Sequence, residues 1–286
     1  MKYNPEEPQT YSAPLLQQVQ ERRARRGTVA GIGATLIALA AKFKGVLLLL
    51  LKFKWVLLGG KFLLSGGSLV LSIVLWAQVF GWPFAAGFVL LIFVHEMGHV
   101  FALRARGISA SVPIFIPFMG AFVAMKEMPP DAKVEAYVAL AGPLVGTAGA
   151  AACYLIGLQT GARIWYALAS AGFFVNLFNM LPVIPLDGGR VVAALSPKLW
   201  VVGLAALLVF AVLRPGAGLL FVGFLIFLSL PRVVSAFKPG ALDQPYYRVA
   251  ARDRLGIGLQ YFGLAAFQAI MWAASGAAVH VGVTPQ

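Results

Sequence analysis

The sequence predicts an all-α, polytopic membrane protein of about six to seven transmembrane helices with one re-entrant, β-like hairpin, and three observations carry that prediction. Hydrophobic residues make up 60% of the chain and charged residues 12%, against roughly 45–50% and 25% in soluble domains. Mean hydropathy is +0.85, and apolar stretches near the roughly 20 residues that cross a bilayer recur along the chain. Between two of them, residues 108–125 carry Pro113, Pro117 and Gly120 among β-branched and aromatic side chains, a pattern that breaks a helix and favours extended backbone.

Residues 1–27 are polar and end in the run Glu21, Arg22, Arg23, Ala24, Arg25, Arg26, which reads as a cytoplasmic basic tail beside a membrane surface. The opening residues lack the apolar core of a signal peptide, so no cleavage is expected there. Across residues 28–65, Lys42, Lys44, Lys52, Lys54 and Lys61 interrupt apolar runs too short to span. Lysine is costly at mid-bilayer, so this stretch is expected to form interfacial or re-entrant helices whose lysines reach back to the lipid headgroups.

Residues 66–286 read as the integral membrane domain, with spans at 66–81, 84–106, 133–157, 162–181, 198–213 paired with 216–232, and 255–281. The hairpin at 108–125 falls between the second and third spans. Non-helical backbone at membrane depth is tolerated only against protein or a water-filled cavity, so the hairpin is expected to line a site.

Lys and Arg number 23 against 10 Asp and Glu, a net charge of +13. In a chain this apolar the excess reflects loops facing anionic lipid, and no nucleic-acid partner is expected. The single cysteine, Cys153, lies in an apolar segment, which leaves neither a disulfide framework nor a thiolate metal site.

Chemistry enters at His95, Glu96, Met97, Gly98, His99, near the end of the second span. Residues four apart share a helix face, so both imidazoles can turn toward one ion while Glu96 reaches a water beside it. Two histidines and a glutamate in hydrocarbon are hard to explain as packing. A catalytic zinc wants a third protein ligand and an open position. His280 sits at the edge of the last span, and Asp131, Asp243 and Asp253 lie in charged or proline-containing connectors. Asp187 differs: it follows Pro182 and Pro185 and precedes Gly188 and Gly189, a broken backbone suited to ion coordination.

The chain here resembles the site-2 protease family of intramembrane zinc metalloproteases, marked by HExxH on one transmembrane helix and NxxPxxxxDG on a later one. Asn179, Pro182, Asp187 and Gly188 match the second motif position for position. The resemblance covers about residues 66–196, which would be the catalytic core. It implies that His95, His99 and Asp187 bind zinc, that Glu96 is the general acid and base, and that Asn179 helps to position the substrate. Many members carry asparagine where this chain has Gly146, so Gly142, Gly146 and Gly149 are read as a helix-packing seam. The interval between the motifs is filled by the hairpin and two apolar spans, with no room for an inserted PDZ-type domain.

The expected partners are a transmembrane protein substrate and the lipid bilayer of the cell membrane, crossed several times. Arg104 and Arg106 follow His99, so the second span should run inward and place the site toward the cytosol, with His99 roughly 8 Å from that end. Gly120 and Phe122, on the hairpin, are expected to contact an unwound substrate strand added at its edge. Asn176 either joins Asn179 on the substrate carbonyl or makes an inter-helix hydrogen bond. A metal transporter and a catalytically silent relative remain as alternatives. A prenyl-dependent protease would instead take a downstream glutamate, and Glu127 and Glu135 match no such motif.

Overall fold

Gly81 and Pro83 decide where the first two described helices part. A computed structural model describes residues 61–213, 219–240 and 243–281. The basic tail and the lysine-rich stretch up to residue 60 lie outside the described residues. Helix α1 runs Lys61–Phe80 and α2 Trp82–Arg104. Gly81 between them takes φ 81°, and Pro83 stands in the first turn of α2, where its missing N–H costs nothing. At the other end Arg104 lies in the last turn, favourable to the helix dipole. Gly107, at φ 72°, then turns the chain out of the helix.

The proline-broken stretch forms the expected hairpin. Strand β1, Ile114–Ile116, pairs antiparallel with β2, Gly120–Phe122, in the register Ile114 to Phe122, Phe115 to Ala121 and Ile116 to Gly120. A further bridge joins Ala110 to Met125. Phe115 is buried with Val89 and Ile92 of α2, and its ring stacks on Phe93 at 6.4 Å. This seats the hairpin on α2 within a turn of His95. Its other edge contact is with α1, where the Phe115 N–H donates to Ser68 Oγ at 3.1 Å.

Helix α3, Ala132–Thr160, begins at Asp131, whose side chain accepts from the Val134 N–H at 2.7 Å, a standard cap. It ends at Gly161 in the left-handed region, φ 67°. Helix α4 spans Arg163–Asn179, α5 Asp187–Leu195, α6 Trp200–Leu213, α7 Leu219–Ala236 and α8 Ala251–Val281. Leu91 of α2, Ala150 and Cys153 of α3 and Leu168, Ala169 and Phe173 of α4 form one apolar cluster. Ala136, Ala139 and Leu140 of α3, Val191 to Ala194 of α5 and Ile257 and Tyr261 of α8 form another. Cys153 is thus a packing residue in the first of these clusters.

Among the described residues, three helices are long and apolar enough to cross a membrane: Trp82–Arg104, Ala132–Thr160 and Ala251–Val279. Three further apolar stretches, Gly66–Phe80, Pro197–Leu213 and Phe221–Ala236, are shorter, and α4 has 17 residues. The expected count of six to seven spans is therefore met by length in three. Leu259, Phe262 and Ile270 of α8 are 68%, 61% and 67% exposed. An exposed apolar face on a helix of this length suits lipid.

Candidate metal centre

His95 and His99 stand one turn apart on the buried face of α2, and Asp187 is the first residue of α5. All three are buried. Their facing atoms close a triangle: His95 Nε2 to Asp187 Oδ2 is 3.1 Å, His99 Nε2 to the same oxygen 3.2 Å, and the two Nε2 atoms are 3.2 Å apart. Among the described residues this is the group of histidines and carboxylates that could hold a metal ion.

The remaining ring nitrogens decide what the triangle can do. His95 Nδ1 lies 2.8 Å from Asn176 Oδ1. The amide of Asn176 donates its own N–H to the Gly172 carbonyl at 2.7 Å, which turns Oδ1 toward His95 as an acceptor. His95 Nδ1 must then be the donor. His99 Nδ1 faces the Val138 carbonyl at 2.9 Å, which can only accept. Both rings therefore carry their proton on Nδ1, and both Nε2 lone pairs point into the triangle. Metal-binding histidines are oriented this way by their outer partners.

The set fits zinc. Two imidazoles and one carboxylate are a catalytic-type ligand set, and ligands at about 2.0 Å on a tetrahedron lie about 3.3 Å from one another, close to the observed edges. Leaving three such groups buried without an ion would cost several kcal/mol each, whereas zinc binding contributes on the order of 10–16 kcal/mol in small zinc-binding peptides.

Close packing makes room for these rings. A Cβ added at Gly142 would fall on the His99 ring at Nε2, and one at Gly146 on the Asn176 carboxamide. The seam of small residues in α3 does pack helices together, Gly142 against His99, Gly146 against Asn176 and Gly149 against Leu91 and Val94. Gly188 likewise lies against the backbone of Met180 and Leu181, which is how a helix beginning at Asp187 can approach the end of α4.

The other expected site residues are distributed around this centre. Glu96 is buried beside it and interacts electrostatically with His95, His99 and Asp187. Asn179 is half-buried at the last position of α4. Asn176 makes an inter-helix hydrogen bond, and its partner is His95. Gly120 and Phe122 stand on β2, Phe122 45% exposed. The Val138 carbonyl had no signal in the sequence, because any residue type supplies a backbone oxygen.

Residues 83–162 and 158–201 match the model of Peptidase family M50. Zinc metalloprotease MJ0392 of Methanocaldococcus jannaschii is 24% identical over 46% of this chain and 38% of its own length. Rip3 of Mycobacterium tuberculosis is 36% identical over 38% of this chain and 30% of its own, and EGY1 of Arabidopsis thaliana 28% over 38% and 29%. Both also carry zinc metalloprotease names. The chain thus spans about a third of the length of the curated relatives it matches. No solved structure matches it. The resemblance drawn from the two motifs holds: residues 83–201, with both imidazoles and the carboxylate, carry the Peptidase family M50 match, and the curated relatives are named as zinc metalloproteases.

Proposed function

We propose that this chain is an intramembrane zinc metalloendopeptidase that cuts a peptide bond in or near a transmembrane segment of a membrane-protein substrate. The observation that carries the reading is the buried triangle of His95, His99 and Asp187 with Glu96 beside it, on a helix long and apolar enough to cross a membrane. Zinc, when held by these three side chains, supplies Lewis acidity and makes water a stronger acid. Glu96 takes the proton of the attacking water on its carboxylate and delivers it to the nitrogen of the departing amine. Asn179 offers a neutral hydrogen bond to the substrate carbonyl, at a smaller desolvation cost than a charged donor would carry.

The hairpin supports the same reading. A helical substrate must unwind before its backbone is open to attack, and an unwound strand needs a partner. Among the described residues the sheet has two strands, and the Phe115 N–H of β1 is turned to α1, which leaves β2, with Gly120, Ala121 and Phe122, as the edge for a third strand.

Charge supports a multi-pass protein of the cell membrane with its site toward the cytosol. Arg104 and Arg106 close α2, Lys133 opens α3, and Arg248, Arg252 and Arg254 gather at the start of α8. Lys133 bonds Asp253 at 2.8 Å, which joins the openings of α3 and α8 at one end of the helices. Clustered positive charge marks the inner face.

The test is cleavage of a panel of single-span reporters in membranes by the wild type and by Glu96→Gln, with zinc assayed in both. The expected outcome is cleavage by the wild type alone, with equal zinc in the two proteins. Zinc in both and cleavage by both would remove Glu96 from the chemistry; zinc in both and movement of metal ions across the membrane would favour transport.

A further inference from the structure

Asp187 uses its two oxygens differently. Oδ2 faces both imidazoles, whereas Oδ1 is turned to Arg190 Nη1 at 3.8 Å, one helical turn along α5. Arg190 is itself held. Its Nε donates to Glu135 Oε1 in the first turn of α3 at 3.1 Å. Its Nη2 lies 3.5 Å from Met125 Sδ, at the close of the hairpin. The second oxygen of Glu135 is taken by the Tyr246 hydroxyl, which reaches it from the short turn Pro245–Tyr247 between α7 and α8.

We propose that Tyr246 and Glu135 are positioning residues for the metal centre, holding the Arg190 guanidinium on the outer oxygen of Asp187 so that the inner oxygen stays turned to His95 and His99. The proposal rests on the reading of those three residues as a zinc site. It extends that reading to a segment about 60 residues beyond Asp187 in the sequence, outside both family motifs.

Three features separate this from ordinary packing. First, the Arg190 and Glu135 side chains are only 18% and 15% exposed, and a buried ion pair is a poor way to hold helices together when apolar groups of the same size serve as well or better. Second, both carboxylate oxygens of Glu135 are occupied, one by each neighbour, so the acid has no freedom to leave the guanidinium. Third, Arg190, Glu135 and Tyr246 line a cavity of about 400 Å³ into which an unclamped guanidinium would swing. Burial and the hydrogen bond to Glu135 push the Tyr246 phenol above its usual range, which keeps it an O–H donor throughout the working pH range. Turning the Asp187 carboxylate out of the triangle would carry its outer oxygen away from Arg190, and the charge on Arg190 opposes that movement.

The experiment uses the full chain in detergent, carrying Tyr246→Phe, Glu135→Gln or Arg190→Gln, with Arg190→Lys as the variant that keeps the charge. Zinc affinity is measured by competition with a chelator, and the visible spectrum of the cobalt-substituted protein reports the ligand geometry directly. Neither readout involves a substrate. The expected result is zinc affinity lowered by about tenfold or more in Tyr246→Phe and Glu135→Gln, as for outer-sphere partners elsewhere. A shifted cobalt band should accompany the loss, with part of it recovered in Arg190→Lys relative to Arg190→Gln. Lowered thermal stability with wild-type zinc affinity and an unchanged cobalt spectrum would show a structural brace only and overturn the proposal. Tyr246→Phe removes one hydroxyl and keeps the ring, so it decides the matter even if Glu135→Gln does not fold. A wild-type chain that holds no zinc is a different failure: it would refute the metal site itself, and the positioning role with it.

Discussion

At the scale of single residues, the centre depends as much on what is missing as on what is present. Gly142 lies where a methyl group would meet His99 at the atom that faces the triangle. Gly142→Ala is therefore expected to abolish zinc binding, read as metal content of the purified protein. Gly149→Ala serves as the control, because its added carbon would meet only the ends of Leu91 and Val94 at 3.2 and 3.3 Å, contacts that a small adjustment relieves. Asn176 offers the second prediction. Its carboxamide fixes the tautomer of His95 through a 2.8 Å bond, so Asn176→Ala should weaken zinc binding by about 10–100-fold while leaving the fold intact. Chelator competition alongside helix content by circular dichroism checks both parts. The candidate ligands were legible in the sequence because histidines and a carboxylate are costly to bury in an apolar span unless something such as an ion holds them there. The partners on their far sides were not, since a carbonyl such as that of Val138 leaves no trace in residue type, and Asn176 gives no sign of which neighbour it will meet.

At the scale of elements, the hairpin is the part most plainly written in the chain. Pro113, Pro117 and Gly120 forbid a helix, and the strands Ile114–Ile116 and Gly120–Phe122 form between and after them. What the sequence did not carry was its seat. Only the packed structure puts Phe115 against Val89, Ile92 and Phe93 and so seats the hairpin on α2. If β2 receives the unwound substrate, Ala121→Pro should abolish cleavage of a membrane reporter, because it removes an outward N–H and stiffens the edge. Zinc content should be unchanged. Cleavage at the wild-type rate by this variant would mean that substrate is held elsewhere. Helix α4 shows the opposite case. The sequence reads as a span over 162–181, and the helix closes at Asn179 after 17 residues. The close approach of Gly188 to Met180 and Leu181 requires the chain to leave the helix there and bring Asp187 back toward α2.

At the scale of the whole molecule, the fold buries three ionisable groups side by side. Helices α2, α3 and α5 converge on the triangle, with small residues of α3 allowing the approach, while apolar side chains of α8 face outward. Composition alone made the membrane character legible. It did not reveal that the segment after α7 returns to Glu135, since Tyr246 reaches that residue across 111 positions and belongs to no motif. The central claim is that His95, His99 and Asp187 together hold zinc, and zinc K-edge X-ray absorption on the purified chain tests it most directly. The predicted result is one zinc per chain, bound by two imidazoles and light oxygen ligands, and its loss in Asp187→Ala and in His95→Ala. Sulfur in the first coordination sphere, or full zinc content in both variants, would contradict it.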